Sequence, residues 1–333
     1  MASAPFASRA VKTMGPPSVS RRTSGLAGLA LSFLALAGCA GAPTEPPEVA
    51  AAAPLAGTIW AVESDQFLSE DALLWSLARA DFVLLGELHD NPEHHRLQAR
   101  LVGALQTRWE APAPVAFEMM STDQQHAITE HLQAGQGDVA GLDIVLDWRG
   151  SGWPDWAMYA PIAQAALDGG GQIVAANLPD AEVRAVFDLG TAGLDEALLR
   201  RTGLERPLPE RLAADLRREL QRAHCGDTPA EAVEGMFRVQ RARDAMMADR
   251  LAALAGRRHG ILIAGAEHVR KDRGVPWYLM RLRPGARIAS LAFVEADPAT
   301  HTPPADLPYD YVWFTEPVSR QDPCAEAGSA RTG

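Results

Sequence analysis

Acidic and imidazole side chains gather directly after the apolar run of residues 82–85. Glu87 and His89 lie two positions apart there, and three of the nine histidines in the chain fall between residues 89 and 95. A carboxylate next to an imidazole can carry out general acid–base catalysis, and the same pair can hold a metal ion. Side chains two positions apart lie on the same face of an extended backbone, so we expect Glu87 and His89 to face the same site.

A second segment has the same construction. The apolar run from Gly260 to Ala264 ends in Gly265-Ala266-Glu267-His268, so the spacing Gly-x-x-His of residues 86–89 occurs twice. Two further apolar runs also end in polar side chains, and together the four ends offer Glu87, His89, Glu118, Asn177, Glu267 and His268. We expect these side chains to share one cleft, with ordinary surface loops as the competing interpretation.

Six short apolar runs alternate with segments of mostly helical spacing, an order that favours an α/β fold with a mostly parallel, twisted sheet and helices on both faces. The predicted strands are Phe82–Leu85, Val115–Phe117, Ile173–Ala176, Gly260–Ala264, Ile288–Leu291 and Tyr311–Phe314. The stretch 194–254 has helical spacing and no strand candidate, which predicts a helical insertion or subdomain over about residues 190–256. In open α/β sheets ligands bind at the carboxyl ends of the strands.

The turn after the first predicted strand contains a helix start. Asn91 can cap a helix through its side chain, and Pro92 suits the first helical position. His94 and His95 then diverge by about 100° around the predicted helix, so they cannot both face one ligand. His89, which precedes the cap, is therefore the stronger candidate of the three, although only geometry can choose among these histidines.

The first 39 residues contain a basic segment without acidic residues, then an apolar segment, then a cysteine. The apolar run 26–37 is too short for a permanent membrane span, and this order is typical of a secretory signal peptide. Because Leu36-Ala37-Gly38-Cys39 resembles the lipobox of bacterial lipoproteins, we expect residues 1–38 to be removed and Cys39 to carry lipid. Residues 39–57 have the composition of a flexible linker. The expected location is the periplasm-facing cell envelope, with Ala40 favouring the outer membrane.

Removal of residues 1–38 takes away four basic and no acidic residues, so the formal net charge falls from −11 to −15. Such an acidic surface argues against nucleic acid or anionic lipid as the main partner. Besides Cys39, the chain then holds only Cys225 and Cys324. Because the expected compartment is oxidising, we predict a disulfide between them, with two free thiols as the alternative. Residues 58–320 form the predicted folded domain, and residues 321–333 form a C-terminal tail.

Several separated blocks between about Asp81 and Tyr278 resemble the ChaN-like haem-binding lipoproteins of the superfamily that includes Tiki, TraB and erythromycin-esterase proteins. The blocks are residues 85–91 with His95 and Gln98, residues 117–119 with Gln124 and Gln125, residues 153–161, residues 175–179, residues 237–240 with Asp244, Met247 and Ala248, and residues 264–269 with 274–276. Their order and spread, rather than any one block, make the resemblance specific.

The resemblance implies a doubly wound core that binds haem, tends to form a homodimer around it and serves iron acquisition in the bacterial envelope. Haem needs an apolar slot, an axial ligand and cations for its propionates. Tyr159 is the leading candidate for the iron ligand, with a neighbouring histidine or arginine expected to stabilise its phenolate. A tyrosine that only packs in the core, and a basic triplet that is only a solvated loop, are the competing interpretations. The other candidates are His89, His268, Trp156, Met119 and Arg270, with Lys271 and Arg273 beside Arg270.

Two other functions stay open. Members of the same superfamily are similar to metal-dependent proteases, or to hydrolases that use glutamate and histidine. A hydrolase here would use Glu87, His89, Glu118, Glu267 and His268. A scaffold lipoprotein without catalysis is the third possibility, since a fold does not settle a function. Haem binding ranks first because the segment 153–159 and the lipobox resemble the haem-binding branch.

Overall fold

A computed structural model of the chain describes residues 54–135, 137–255, 259–320 and 324. The predicted signal peptide, the lipidation site at Cys39, nearly all of the predicted linker and most of the C-terminal tail lie outside the described residues. Within the described ranges, no helix combines the length and hydropathy that crossing a bilayer requires.

One eight-stranded sheet organises the described part of the chain. The strands are β1 Ile59–Ala61, β2 Gln66–Leu68, β3 Phe82–Glu87, β4 Val115–Ser121, β5 Ile173–Asn177, β6 Gly260–Gly265, β7 Ile288–Glu295 and β8 Tyr311–Thr315. All six predicted strands are confirmed, whereas the sequence prediction missed the three-residue strands β1 and β2. The predicted mostly parallel α/β fold is thus correct.

The strand order is β2-β1-β8-β7-β3-β6-β4-β5. Strands β3 to β8 run parallel, and β1 joins β8 and β2 in antiparallel pairs at one edge. Strand β3 therefore lies inside the sheet between β7 and β6. In its register with β6, Glu87 is opposite Gly265, so the two Gly-x-x-His motifs leave the sheet side by side.

Helices cover both faces of the sheet. They are α1 Glu70–Leu77, α2 Pro92–Arg108, α3 Gln125–Ala134, α4 Leu142–Val145, α5 Trp156–Asp168, α6 Asp180–Leu189, α7 Glu196–Thr202, α8 Glu210–Ala223, α9 Ala230–Ala255 and α10 Val275–Leu282. Val83 and Leu85 pack with α1, α2 and α5, whereas Phe82 and Leu84 pack with α6, α7, α9 and α10. The alternating side chains of β3 thus join two separate apolar cores. Helices α7, α8 and α9 occupy the stretch predicted as a helical subdomain.

Helix α2 begins with the cap that the sequence predicts. The side chain of Asn91 accepts hydrogen bonds from the backbone N–H groups of Glu93 and His94, and Pro92 is the first helical residue. The amide of Asn91 in turn donates to Glu295 at 2.6 Å. This cap fixes where the chain leaves the loop after β3, and therefore where His89 lies.

Two residues near the C-terminus, Arg320 and Cys324, contact the rest of the domain. Arg320 makes bidentate hydrogen bonds to Asp90, in the loop after β3, and to Glu295 at the end of β7. Cys324 forms a disulfide with Cys225, in the turn after α8, which confirms the predicted pairing.

Candidate functional site

Glu87 is the last residue of β3 and is buried. Side chains from α2, α5 and the loop after β3 surround its carboxylate. Its Oε1 accepts hydrogen bonds from the hydroxyl of Tyr159 on α5 and from Nδ1 of His89, each at 3.0 Å. Its Oε2 lies 3.2 Å from Nδ1 of His95 on α2, outside hydrogen-bonding geometry. Because an unpaired buried carboxylate is costly, Glu87 requires these partners and fixes their positions.

His89 is the accessible member of this group. Its side chain is 35% exposed, and its ring meets the ring of Trp153 edge-on, with centroids 4.9 Å apart. Nε2 lies 4.0 Å from Oε2 of Glu118. Burial disfavours the charged imidazole, but the hydrogen bond to Glu87 and the charge of Glu118 outweigh it and raise the pKa of His89.

Glu118, His268 and Asp244 form a buried chain on the other face of the sheet. Nε2 of His268 lies 3.0 Å from Oε1 of Glu118, and Nδ1 donates to Asp244 on α9 at 2.6 Å. Oε2 of Glu118 accepts the backbone N–H of Gly265 at 2.7 Å. The three side chains thus join β4, α9 and the turn after β6.

The protonation of this chain follows from burial and charge. Burial opposes the imidazolium, but the charges of Glu118 and Asp244 outweigh it and raise the pKa of His268 to about 10. Burial likewise opposes the charge of Glu118, yet the charge of His268 holds its pKa well below the usual range. For Asp244 burial dominates and raises the pKa to about 6. At neutral pH an imidazolium therefore lies between two carboxylates, and Glu118 is the more firmly ionised.

The glycine of each Gly-x-x-His motif leaves room for the turn that contains the other motif. A Cβ at Gly86 would overlap Val269 and lie 2.9 Å from Cα of Ala266, both in the turn after β6. A Cβ at Gly265 would lie 2.9 Å from Nε2 of His89, in the turn after β3. Each motif therefore needs its glycine because the other motif lies against it. This reciprocal contact gives a physical reason for the repeated spacing.

His94 and His95 point to different partners, as helical spacing predicts. His94 is buried, accepts the backbone N–H of Leu88 at 3.0 Å and lies 2.9 Å from the hydroxyl of Thr315. Burial lowers the pKa of His94 to about 4, so its ring is neutral. Nε2 of His95 donates to the backbone carbonyl of His89 at 2.9 Å. Both rings thus hold the loop that carries His89.

Tyr159 is fully buried, and its environment favours the neutral phenol. Burial and the charge of Glu87 raise the pKa of Tyr159 far above its usual range. The ring of His95 meets the ring of Tyr159 edge-on, with centroids 4.4 Å apart. In this conformation Tyr159 serves Glu87 as a hydrogen-bond donor, and its role as an iron ligand stays a prediction. Trp156 packs edge-on against Trp148.

The predicted propionate partners are occupied by carboxylates. Arg270 makes bidentate hydrogen bonds to Asp272 at 3.0 and 2.8 Å and lies 3.6 Å from Glu267. The remaining contacts are Lys271 with Asp310, and Arg273 with Glu219 and Glu267. Glu267 is therefore engaged in this ionic network, unlike the other carboxylates that the sequence analysis assigned to the cleft.

Two openings lie next to residues that contact Glu87 and His89, and neither Glu87 nor His89 lines them. The polar cleft, of about 360 Å³, is lined by residues that include Glu118, Met119, Trp153, Asn177, Asp180 and Arg243. The apolar groove, of about 380 Å³, lies between α2 and α5 and is lined by residues that include Pro92, His95, Ala99, Met158 and Pro161. Trp153 contacts His89 and lines the polar cleft, whereas His95 lies against Glu87 and lines the apolar groove. The site therefore has a polar side and an apolar side.

The structure brings together most of the predicted strand-end residues. Glu87, His89, Glu118 and His268 lie in one connected set, and the side chain of Asn177 donates to the backbone carbonyl of Glu118 at 2.8 Å. From the sequence, His95 was one of the candidate histidines, and Trp153 and Asp244 fell within blocks that carry the family resemblance, whereas Arg243 was not predicted. Both Asp244 and Arg243 lie within the long helix α9, where only the family resemblance singled out Asp244 and neither spacing nor composition singled out Arg243. No three His, Cys, Asp or Glu side chains among the described residues are arranged to hold a metal ion.

Comparison with known proteins gives one family match. The family model for haem-binding uptake proteins of the ChaN type, in the Tiki superfamily, matches residues 73–279. The structure is similar to a solved ChaN of Campylobacter jejuni that binds haem cofacially, with a TM-score of 0.61 and 20% identity over 77% of this chain and 95% of that chain. A mutant of the erythromycin esterase EreC gives a TM-score of 0.41 and 16% identity over 68% of this chain and 73% of that chain. No curated protein matches the sequence.

Proposed function

The chain belongs to the ChaN-type family of haem-binding uptake proteins in the Tiki superfamily, and from this premise we propose that it binds haem at the carboxyl edge of its sheet. The likeness to the solved ChaN supports the fold that such binding requires. The residues at this edge must then provide an iron ligand, an apolar surface and a partner for the propionates.

The observation that carries the proposal is the pairing of His89 with Glu87. Histidines that ligate metal ions usually donate their other ring N–H to a carboxylate, which fixes the ring and leaves the second nitrogen available. His89 has this arrangement, with Nδ1 at 3.0 Å from the buried Glu87 and a side chain that is 35% exposed. His89 is therefore the iron ligand that we propose.

The surroundings of His89 also fit haem. The apolar groove beside His95 offers side chains such as Met158 and Pro161 to a porphyrin face. The ring of Trp153 lies against His89 on the other side. Bound haem would supply the iron centre and its redox or transfer chemistry, while these residues would bind and orient it.

Tyr159 has a supporting role in this proposal. Its hydroxyl donates to the same carboxylate oxygen as His89, so it helps to hold Glu87 in place. The sequence analysis favoured Tyr159 itself as the ligand of the haem iron. That alternative requires a rearrangement that exposes the hydroxyl of Tyr159. The two versions make different predictions for substitutions at His89 and Tyr159.

Hemin titration tests the proposal. Addition of hemin to the purified protein is expected to give a saturable Soret band. His89→Ala is expected to shift that band and weaken hemin binding at least tenfold, since an axial ligand is lost. Tyr159→Phe is expected to change affinity less and to keep the wild-type band position.

The matched control is His126→Ala, because the side chain of His126 is 84% exposed on α3 and belongs to neither opening. Absence of a saturable band in the wild-type protein would overturn haem binding. A band that shifts with Tyr159→Phe but not with His89→Ala would reverse the choice of ligand and restore Tyr159.

We also propose that the chain is anchored in the bacterial cell envelope through lipid on Cys39 and takes part in haem or iron uptake. The signal-peptide-like segment and the lipobox-like sequence that ends in Cys39 support this proposal. Fatty-acid labelling should occur in the wild-type chain and disappear in Cys39→Ser. A Cys39→Ser chain that is still labelled and still in the outer membrane fraction would contradict the anchor.

Pairing of two copies around haem is part of the same proposal, because the exposed mouth at His89 leaves a porphyrin face to be covered. Light scattering during hemin addition should then show the mass doubling. A mass that stays monomeric at saturating hemin would exclude the homodimer.

A hydrolase is the second candidate, and one observation favours it. His89 is an accessible imidazole held by a buried carboxylate, and a second imidazole, His268, lies between two carboxylates nearby. Such groups suit general acid–base catalysis without a metal. Hydrolysis of an ester or peptide panel that disappears in both His89→Ala and His268→Ala would support this candidate, whereas an inactive wild-type protein would exclude it for that panel.

A further inference from the structure

The polar cleft contains an arginine, Arg243, that has no partner among the described residues. Arg243 lies on α9 and is partly buried, and its Nε is buried without a hydrogen bond. Within the part of the chain that the structure describes, its guanidinium makes no hydrogen bond or ion pair. Other interior arginines differ, since Arg238 donates to a backbone carbonyl and Arg273 pairs with two carboxylates. A buried guanidinium N–H without an acceptor is costly, and an anion that reaches Nε would relieve that cost.

The charges around Arg243 select the kind of anion. Glu118, on the cleft wall, is already paired with His268 and the N–H of Gly265. Asp123, Asp147 and Asp180 line the same cleft, and none of them comes within 4.0 Å of the guanidinium. A ligand with one negative charge at Arg243 can avoid these three carboxylates, whereas a phosphate dianion would be repelled more strongly. The planar guanidinium also matches a carboxylate in bidentate geometry.

We propose that Arg243 is a carboxylate-binding residue of the polar cleft. Trp153 lines this cleft and also contacts His89, so a carboxylate at Arg243 lies on the same side of the site as the proposed haem ligand. The carboxylate can therefore belong to a haem propionate, which rests on the proposed function, or to a free carboxylic acid. Arg270, Lys271 and Arg273 are already paired with acidic residues, whereas Arg243 is, among the described residues, the arginine that lines the polar cleft without such a pair.

The first test does not depend on haem. In protein labelled with ¹⁵N-arginine, the Nε–H resonance that is missing from Arg243→Lys identifies Arg243. Propionate is expected to shift this resonance saturably, whereas propionamide at equal concentration leaves it in place. No shift with propionate, or an equal shift with inorganic phosphate, would overturn the assignment.

The second test separates the two sources of the carboxylate. Arg243→Gln is expected to weaken hemin binding about tenfold, a loss typical of one charge-assisted hydrogen-bonded contact, and to leave binding of hemin dimethyl ester unchanged. The matched control is Arg184→Gln, because Arg184 is an exposed arginine on the neighbouring helix α6. Unchanged hemin affinity with a propionate-sensitive Arg243 resonance would assign the site to a free carboxylic acid.

The failures of the two proposals are distinguishable. If the wild-type protein binds no hemin, the proposed function fails and the resonance of Arg243 still decides whether the cleft takes a carboxylate. If hemin binds wild-type and Arg243→Gln proteins equally and propionate leaves the resonance unmoved, the carboxylate site fails while haem binding stands. Equal melting temperatures of the variants would show that the substitutions leave the fold intact.

Discussion

Glu87 and Glu118 extend to opposite faces of the sheet, yet both carboxylates reach the imidazole of His89, at 3.0 and 4.0 Å. Strand β6 separates their strands, and His89 lies over its end, against Gly265. One accessible imidazole is therefore influenced by charges from both layers of the domain. This arrangement makes His89 sensitive to substitutions that are far apart in the sequence.

Glu87→Gln should lower the pKa of His89. The hydrogen bond to Glu87 is the largest effect that raises this pKa, and glutamine keeps the shape while removing the charge. A pH titration of the His89 ring resonance in the ligand-free protein measures the shift. Glu93→Gln, in an exposed ion pair with Arg96, should leave the titration unchanged. Equal curves for wild type and Glu87→Gln would contradict this reading of the site.

The stability of the domain should fall between pH 7 and pH 10. Because the folded-state pKa of His268 is about 10, above its ordinary 6.5, the stabilisation from its charge is complete below 6.5 and is lost as the pH rises through 10. Asp244→Asn removes one carboxylate and lowers that pKa, so the variant should lose less stability over the same interval. Denaturant titrations at several pH values test this. The prediction is refuted if the wild-type free energy of unfolding does not change between pH 7 and pH 10, or if it changes as much as that of Asp244→Asn.

Gly86→Ala should destabilise the protein by about 1–3 kcal/mol, because the added methyl group enters a filled space against Val269. The matched control is Gly103→Ala in α2, where the nearest atom to a new Cβ is 4.0 Å away. That substitution should be neutral or stabilise by up to about 1 kcal/mol, since alanine favours a helix. Urea denaturation compares the two, and a tolerated Gly86→Ala would show that the turns do not require their close approach.

Tyr159→Phe should cost about 1.5–3 kcal/mol of stability, since it removes a hydrogen bond to the buried carboxylate of Glu87. Tyr311→Phe is the control, because among the described residues the hydroxyl of Tyr311 has no hydrogen-bond partner. Thermal or urea denaturation gives the difference. Equal costs for the two substitutions would mean that Glu87 does not depend on Tyr159.

Loss of the disulfide should cost about 4 kcal/mol in the chain-entropy description, because Cys225 and Cys324 are separated by 99 residues. Cys225→Ser and Cys324→Ser should have the same effect, and reduction of the wild-type protein should reproduce it. Thiol counting on the denatured, unreduced protein provides an independent check. Two reactive thiols at these positions would contradict the pairing.

The sheet was predictable because each of the strands β3 to β8 is a short, largely buried apolar run that ends at a turn signal. The short strands β1 and β2 were not, since each has three residues and β2 is largely exposed, with Phe67 54% exposed. So short a segment lacks the alternation that distinguishes a strand from a loop.

The site was predictable where its residues follow strands. Glu87, His89, Glu118 and His268 could be grouped because parallel strands end at one edge. Asp244 could not, because its partner His268 is determined by how α9 packs on the sheet. The opposite environments of Arg243 and Arg270 could not be foreseen either, since pairing with carboxylates depends on elements distant in sequence.

The central position of β3 has a consequence for the order of events during synthesis. Glu87 and His89 leave the ribosome early, but β6 and β7, the strands on either side of β3, are made only after most of the chain. Such long-range parallel pairing is slow to form. Until it forms, β6 does not pack against His89. A nascent chain that stops before β6 therefore lacks Gly265 and His268, which lie against His89 and Glu118 in the finished domain. The complete arrangement around His89 can form only after most of the chain has been made.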